Sequence, residues 1–138
     1  MFFKEQKKNK NDDNLKKIAA LLIHAAKIDE DYSMKEEEII KQTLLKIGAN
    51  NGNIDQIIKD GAEIEQNSNQ ILEFTKEVKV LNEDIKIRII ETLWIIIFSN
   101  KVADMYETSL MRRLAGLLYV DSKIMGDIKE RIKKEYSK

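Results

Sequence analysis

Apolar residues recur every three or four positions along most of the chain, which is the spacing of one face of an α-helix. The stretch from Ile85 to Ser99 departs from this pattern, because after three charged positions it becomes apolar on every side from Leu93 to Phe98. A helix of that kind has no face left for water, and its apolar run is far shorter than the roughly 18 residues that cross a bilayer. The pattern therefore predicts a buried central helix in a helical bundle.

About six further helices are predicted around this central one. The first is predicted over residues 13–27, since Asp13 or Asn14 can cap it. Ser33 and Glu36 have the spacing of a capping box, so the second is predicted to begin at residue 34 and to end in a left-handed cap at Gly48. The remaining four are predicted from Asn53, over residues 71–80, over residues 105–119 and after Asp121 or Ser122, while Asn82 is expected to cap the central helix.

The composition supports an all-α fold in a single domain. At 138 residues the chain has the usual length of one domain. It contains no proline and five glycines, and its 24 basic and 24 acidic residues supply solvated helix faces. The lack of cysteine excludes disulfides, zinc sites with thiolate ligands and thiol catalysis. A formal net charge of zero provides no overall field to attract nucleic acid, so no nucleic-acid partner is expected.

Residues 1–13 are polar and rich in lysine, and they are predicted to form a flexible tail before a helical domain over residues 14–138. This segment lacks the apolar core of a signal peptide, so the expected compartment is the cytoplasm. Phe2 and Phe3 leave two interpretations open. They either fold back or extend freely, or they act with the neighbouring lysines as a weak anchor to an anionic membrane surface or a partner.

An internal duplication is visible when the first half is shifted by 71 positions onto the second half. The match is one of pattern more than identity. It places Ile18, Leu22 and Ile23 over Ile89, Leu93 and Trp94, and Ser33 and Glu36 over Asp104 and Glu107. Two pseudo-repeats are therefore predicted, each a helical hairpin with a core helix, a short turn and a capped second helix.

The turn between the first two predicted helices, IDEDYSMKEE over residues 28–37, is similar to the acidic turn of the TerB family, which is named for tellurite resistance. SNKVADMYET over residues 99–108 resembles the corresponding turn of the family's second half, with Asn100 and Val102 where acids would be expected. LEFTKEV over residues 72–78 and LMRRLAGLL over residues 110–118 also resemble segments of the family. The resemblance covers about residues 15–135 and implies a fold of two helical halves.

One candidate site lies in this acidic turn. The carboxylates of Asp29, Asp31, Glu36 and Glu37 fall within nine residues around the predicted start of a helix. Hard cations such as Ca²⁺ or Mg²⁺ prefer oxygen ligands of this kind, and the resemblance implies metal binding through these acids. A structural role stays open beside it, because acids in a first turn stabilise a helix by roughly 0.3 to 1 kcal/mol each without any ligand.

No catalytic arrangement is recognisable in the sequence. His24 is the only histidine, and neither a nucleophile with its base nor a glycine-rich phosphate loop is present. The resemblance implies a non-enzymatic binding or scaffold protein of the cytoplasmic stress response to tellurite or metals. Such a protein would act through protein partners, including membrane-associated complexes, and would require no cofactor besides a modulating divalent cation. Two alternatives are a metal-dependent hydrolase that uses the Asp29, Asp31, Glu36 and Glu37 cluster, and a membrane-surface adaptor that uses the N-terminus.

Overall fold

A computed structural model of the chain describes residues 2–27, 33–68, 76, 78, 81–99 and 105–136; within these ranges, side chains are described at 13–27, 33–68, 76, 78, 81–98 and 109–135. Over the described residues the fold is all-helical, with no strand, as the sequence predicts. The helices are α1 (Phe2–Ala26), α2 (Met34–Lys46), α3 (Ile54–Gln66), α4 (Glu83–Ser99), α5 (Met105–Leu117) and α6 (Ser122–Tyr136). None of the helices in the described ranges is long and apolar enough to cross a membrane.

The predicted central helix is α4, and it contacts α1, α2 and α6. Ile89, Ile90 and Leu93 on this helix are completely buried. The hydrophobic pattern singles out α4 alone, whereas the structure buries the C-terminal half of α1 just as fully. The reason is that residues 18–26 of α1 are apolar on nearly every side, with small alanines that let neighbouring helices approach closely.

The first helix begins at Phe2, so the prediction of a start near Asp13 or Asn14 is wrong. A residue that can cap a helix does not have to mark its start, because the helix continues through that residue when the preceding segment also favours helix. The segment before Asp13 contains neither glycine nor proline and is rich in lysine, which is a good helix former. The flexibility of residues 1–13, and a domain boundary after them, stay predictions.

Helices α1 and α3 approach each other closely, and Gly61 makes this possible. A Cβ atom at Gly61 would lie 2.7 Å from the Cβ of Ala19 and 3.0 Å from the carbonyl oxygen of Lys16. An ion pair between Lys16 and Asp60, 3.1 Å apart, lies beside this contact. The glycine that weakens α3 as an isolated helix is therefore the residue that allows it to pack against α1.

Helices α2 and α5 end in the same way at positions 71 residues apart. The N–H of Ala49 donates to the carbonyl of Leu44, and the N–H of Val120 donates to the carbonyl of Ala115, both at 2.9 Å. The residues before these donors have positive φ angles, 137° at Gly48 and 57° at Tyr119. The predicted end of the second helix at Gly48 is confirmed, and α5 ends with the same backbone hydrogen bond.

The turns that follow also match across the two halves. The Oδ1 atom of Asn50 accepts from the N–H of Gly52, and the Oδ1 atom of Asp121 accepts from the N–H of Lys123, both at 2.8 Å. The carbonyls of Asn50 and Asp121 accept at 3.0 Å from residues four positions further on. Of the two starts predicted for the last helix, after Asp121 or after Ser122, the structure has the one after Asp121. The predicted role of Asn82 as a cap is confirmed, since its Oδ1 accepts from the N–H of Ile85 at 3.0 Å.

The predicted helix over residues 71–80 lies almost wholly outside the described residues. Lys76 and Val78, which are described, are helical, and Val78 is buried. A total of seven helices therefore stays a prediction. The second-half capping pair also lies outside the description, since neither Asp104 nor the side chain of Glu107 is described.

Candidate functional site

The start of α2 is held by the capping box that its sequence predicts. The Oε1 atom of Glu36 accepts a hydrogen bond from the backbone N–H of Ser33 at 3.0 Å. The Oγ atom of Ser33 in turn accepts from the N–H of Glu36 at 3.2 Å. The two bonds satisfy two of the backbone donors that a helix N-terminus leaves without partners. The structural interpretation of Glu36 as a cap is thus confirmed.

Glu36 is also far more buried than a capping residue needs to be. Its side chain is 1% exposed, although glutamate is among the residue types that are least often fully buried. Its second carboxyl oxygen, Oε2, is buried and has no hydrogen-bond partner among the described residues. A buried polar atom without a partner is unfavourable, so this oxygen is a place where a ligand would be stabilising.

The other residues of the predicted metal site are described only in part. Asp29 and Asp31 lie outside the described residues. Glu37 is half-buried and follows Glu36 in the first turn of α2. The part of the chain that is described contains no group of three or more His, Cys, Asp or Glu side chains placed to hold a metal ion. The four-residue site therefore stays a prediction. Among its four residues, Glu36 is described and has a buried carboxyl.

The chain's single histidine lies in an ion-pair cluster between α1 and α3. The Nδ1 atom of His24 is 3.5 Å from Oε1 of Glu65, and the Nζ atom of Lys27 is 3.0 Å from Oε2 of the same carboxyl. His24 is about one-third exposed. This arrangement connects the end of α1 to the end of α3.

A pocket that the sequence does not predict lies where α4, α5 and α6 meet. We call it the α4–α6 pocket; it has a volume of about 350 Å³ and is lined chiefly by Trp94, Met111, Arg112, Ala115, Met125, Gly126 and Lys129. Most of its lining is apolar. The Nζ atom of Lys129 lies 5.5 Å from the centre of the Trp94 ring, close enough for a cation–π interaction. The buried Nε1 of Trp94 donates no hydrogen bond to any residue that the structure describes.

A second, more open and polar cleft of about 720 Å³ lies between the end of α2 and the start of α4. Its lining combines Lys46 and Arg88 with Asp84 and Glu91. The opposite charges are intermixed, so the cleft offers no single sign of charge to a ligand. It is less suited to specific binding than the α4–α6 pocket.

Comparison with known proteins identifies one similarity. A family model described as tellurite resistance protein TerB matches residues 16–130. No curated protein and no solved structure matches the chain. The matched range runs from within α1 to within α6, and it includes both the acidic turn and the α4–α6 pocket.

Proposed function

The chain belongs to the TerB family of tellurite resistance proteins, and on that premise we propose that it is a non-enzymatic helical binding protein whose contacts with protein partners are modulated by a divalent cation. The cation would bind at the acidic turn over residues 28–37. The observation that carries this proposal is the buried carboxyl of Glu36, whose Oε2 has no hydrogen-bond partner among the described residues.

The residues present fit a hard cation. Glu36 offers a carboxyl oxygen that its capping role leaves unused. Asp29, Asp31 and Glu37 are the neighbouring acids that would complete an oxygen ligand set of the kind that Ca²⁺ or Mg²⁺ prefers. A bound cation would neutralise these carboxylates and connect the turn to α2. Its effect on the protein would be to fix the path of the chain between α1 and α2.

We further propose that the two halves are pseudo-repeats and that the first half alone keeps the cation site. The matched hydrogen bonds at the ends of α2 and α5 support the duplication. In the second half, Asn100 and Val102 stand where the first half has Asp29 and Asp31. Neither replacement offers a carboxylate, so one cation per chain is expected.

The test of the cation site is a calorimetric titration with Ca²⁺, Mg²⁺, Mn²⁺ and Zn²⁺. The wild-type protein should bind at least one of these ions saturably, and the Asp29→Ala, Asp31→Ala double variant should not. The matched control is Glu83→Ala, Asp84→Ala, which removes the two acids in the first turn of α4. Equal heats for the two double variants would mean that the ions bind to helix termini non-specifically. No heat and no change in Tm for the wild-type protein would leave the acidic turn as a helix cap alone.

The proposal that the protein is not an enzyme rests on its side-chain chemistry. His24 lies beside Glu65 in an ion-pair cluster, and the chain has no cysteine. The competing hydrolase would need the acidic turn to activate water with a metal. Metal-dependent turnover of a generic phosphoester that is lost in the Asp29→Ala, Asp31→Ala variant would favour the hydrolase. A cytoplasmic location belongs to the same proposal. So do protein rather than nucleic-acid partners, since the zero formal charge provides no overall field to attract nucleic acid.

A further inference from the structure

The α4–α6 pocket combines an apolar interior with two cations. Met111, Ala115 and Met125 line it with apolar atoms, and the Trp94 ring forms an aromatic wall. Its volume of about 350 Å³ lies at the small end of the range that ligand pockets have in proteins, roughly 300 to 1,000 Å³. A pocket of this size suits a small molecule with a compact apolar body.

The cations of the pocket are Arg112 on α5 and Lys129 on α6. Neither forms an ion pair with an acidic residue that the structure describes, whereas Arg131, two positions from Lys129, is 2.7 Å from Glu91. An arginine guanidinium binds a carboxylate through two parallel hydrogen bonds, which gives the pair direction as well as strength. The charge of the pocket therefore favours an anion, and its apolar lining favours a carboxylate on an apolar body.

The first half of the chain has an ion pair at the positions that correspond to Arg112 and Gly126. Arg112 corresponds to Lys41 at the offset of 71 residues, and Gly126 corresponds to Asp55. In the first half Lys41 and Asp55 form an ion pair at 3.4 Å between α2 and α3. In the second half the cation is kept, but glycine replaces its acidic partner. The carboxylate that would neutralise Arg112 is missing from this position.

The same comparison explains why a cavity exists in the second half. Ala115 stands where the first half has Leu44, which is completely buried. A Cβ atom at Gly126 would meet no atom within 4 Å, so the position opens onto unfilled space. Two replacements by smaller residues, one on α5 and one on α6, together leave room for a ligand at this position.

We propose that the α4–α6 pocket is a binding site for a small monocarboxylate with an aromatic or branched aliphatic body. The carboxylate would pair with Arg112 in place of the missing acid, with Lys129 adding positive charge. The apolar body would lie against Trp94 and the two methionines. This site is separate from the acidic turn and does not depend on a bound cation.

Trp94 is the only tryptophan of the chain, so its fluorescence reports on the pocket directly. The probe is 3-phenylpropionate, titrated into the full chain with excitation of tryptophan alone. Two matched compounds separate the contributions: 3-phenylpropanol has the same body without the charge, and acetate has the charge without the body. We expect a saturable change with 3-phenylpropionate and affinities at least about tenfold lower for the other two compounds, because each lacks one of the two groups that the pocket binds.

Variants test whether 3-phenylpropionate binds because its carboxylate pairs with Arg112. Arg112→Gln should weaken 3-phenylpropionate binding about five- to tenfold, the effect of one partly exposed charged contact. Arg113→Gln removes an exposed cation outside the pocket lining and should leave the affinity unchanged. Gly126→Asp restores the acid of the first half and should abolish binding, while Gly126→Asn fills similar space without charge and should reduce it less. Circular dichroism of each variant establishes that it is folded.

Three outcomes would overturn the proposal. Equal affinity for 3-phenylpropionate and 3-phenylpropanol would mean that the pocket binds apolar groups without regard to charge. Equal effects of Gly126→Asp and Gly126→Asn would mean that filled volume, and not the missing acid, decides binding. No saturable change up to about 10 mM, when an acetylated peptide with adjacent acidic and apolar residues does bind, would assign the pocket to a protein partner instead.

Discussion

The side-chain hydroxyls of Thr43 and Thr92 lie 2.6 Å apart across the buried contact between α2 and α4. Each hydroxyl also lies within hydrogen-bond distance of a carbonyl one turn earlier in its own helix, that of Ile39 or of Arg88. Two hydroxyl hydrogens serve three potential bonds, so one threonine donates across the interface while the other donates within its helix. This pair is a polar connection between two helices inside a mostly apolar core.

Thr92→Val and Thr43→Val should each lower the free energy of unfolding by about 1 kcal/mol, because each removes the bond between the helices. The Thr43→Val, Thr92→Val double variant should cost less than the sum of the two, since two valines fill the same volume and leave no hydroxyl buried. Urea unfolding of the wild type and the three variants forms a double-mutant cycle that measures the coupling. Strict additivity would show that the two hydroxyls do not interact.

Gly61→Ala should destabilise the protein by about 1 to 3 kcal/mol, although alanine is a better helix former than glycine by about 1 kcal/mol. The new Cβ would lie 2.7 Å from the Cβ of Ala19, so α1 and α3 must separate to admit it. Gly126→Ala on α6 is the matched control, because a Cβ there meets no atom within 4 Å. Thermal unfolding should show a lower Tm for Gly61→Ala and an unchanged or higher one for Gly126→Ala. A rise in Tm for both would refute the close packing of α1 on α3.

The parts of the fold that were predictable from sequence depend on short-range geometry. A capping box has a fixed spacing, so Ser33 and Glu36 reveal the start of α2 without any knowledge of the rest of the chain. Gly48, Asn82 and Asp121 are recognisable for the same reason, since each acts on residues that follow or precede it closely. The central position of α4 follows from its run from Leu93 to Phe98, which is apolar on every side.

The features that were missed depend on contacts between distant residues. The role of Gly61 is set by Ala19, which lies on another helix, and no local pattern connects the two. The α4–α6 pocket is lined by Ala115 and Gly126, two small residues on different helices that no local pattern connects. The sequence signal that points to this pocket is the comparison of the two halves, in which Gly126 aligns with Asp55. Within the candidate site, the capping role of Glu36 was predictable, but its nearly complete burial was not.

Ser33→Ala should lower the free energy of unfolding by about 1 kcal/mol, because the N–H of Glu36 loses its acceptor at the start of α2. The same variant frees the carboxyl of Glu36 from its contact with the Ser33 hydroxyl. Ser109→Ala, an exposed position on α5, provides the control and should change stability by less than about 0.5 kcal/mol. Chemical unfolding without added metal measures both values. Equal stability of the two variants would show that the capping box contributes nothing to the fold.

The ion pair between α1 and α3 should make stability depend on pH in the acidic range. The hydrogen bond from Lys16 lowers the pKa of Asp60, assisted by a hydrogen bond from Gln56, while partial burial opposes the shift. Since the folded pKa is below the unfolded value of about 3.9, the contribution of Asp60 is fully present above that pH and is lost as pH falls through the folded pKa.

Asp60→Asn should therefore be less stable than the wild type at pH 6, by less than about 1 kcal/mol for a partly exposed pair, and the difference should shrink towards pH 2. Lys16→Met should weaken the same pH dependence, because it takes away the ammonium group that lowers the pKa of Asp60 most, while the hydrogen bond from Gln56 remains. Urea unfolding at the two pH values measures both effects, and a difference between wild type and Asp60→Asn that is as large at pH 2 as at pH 6 would show that the substitution acts through packing instead of charge.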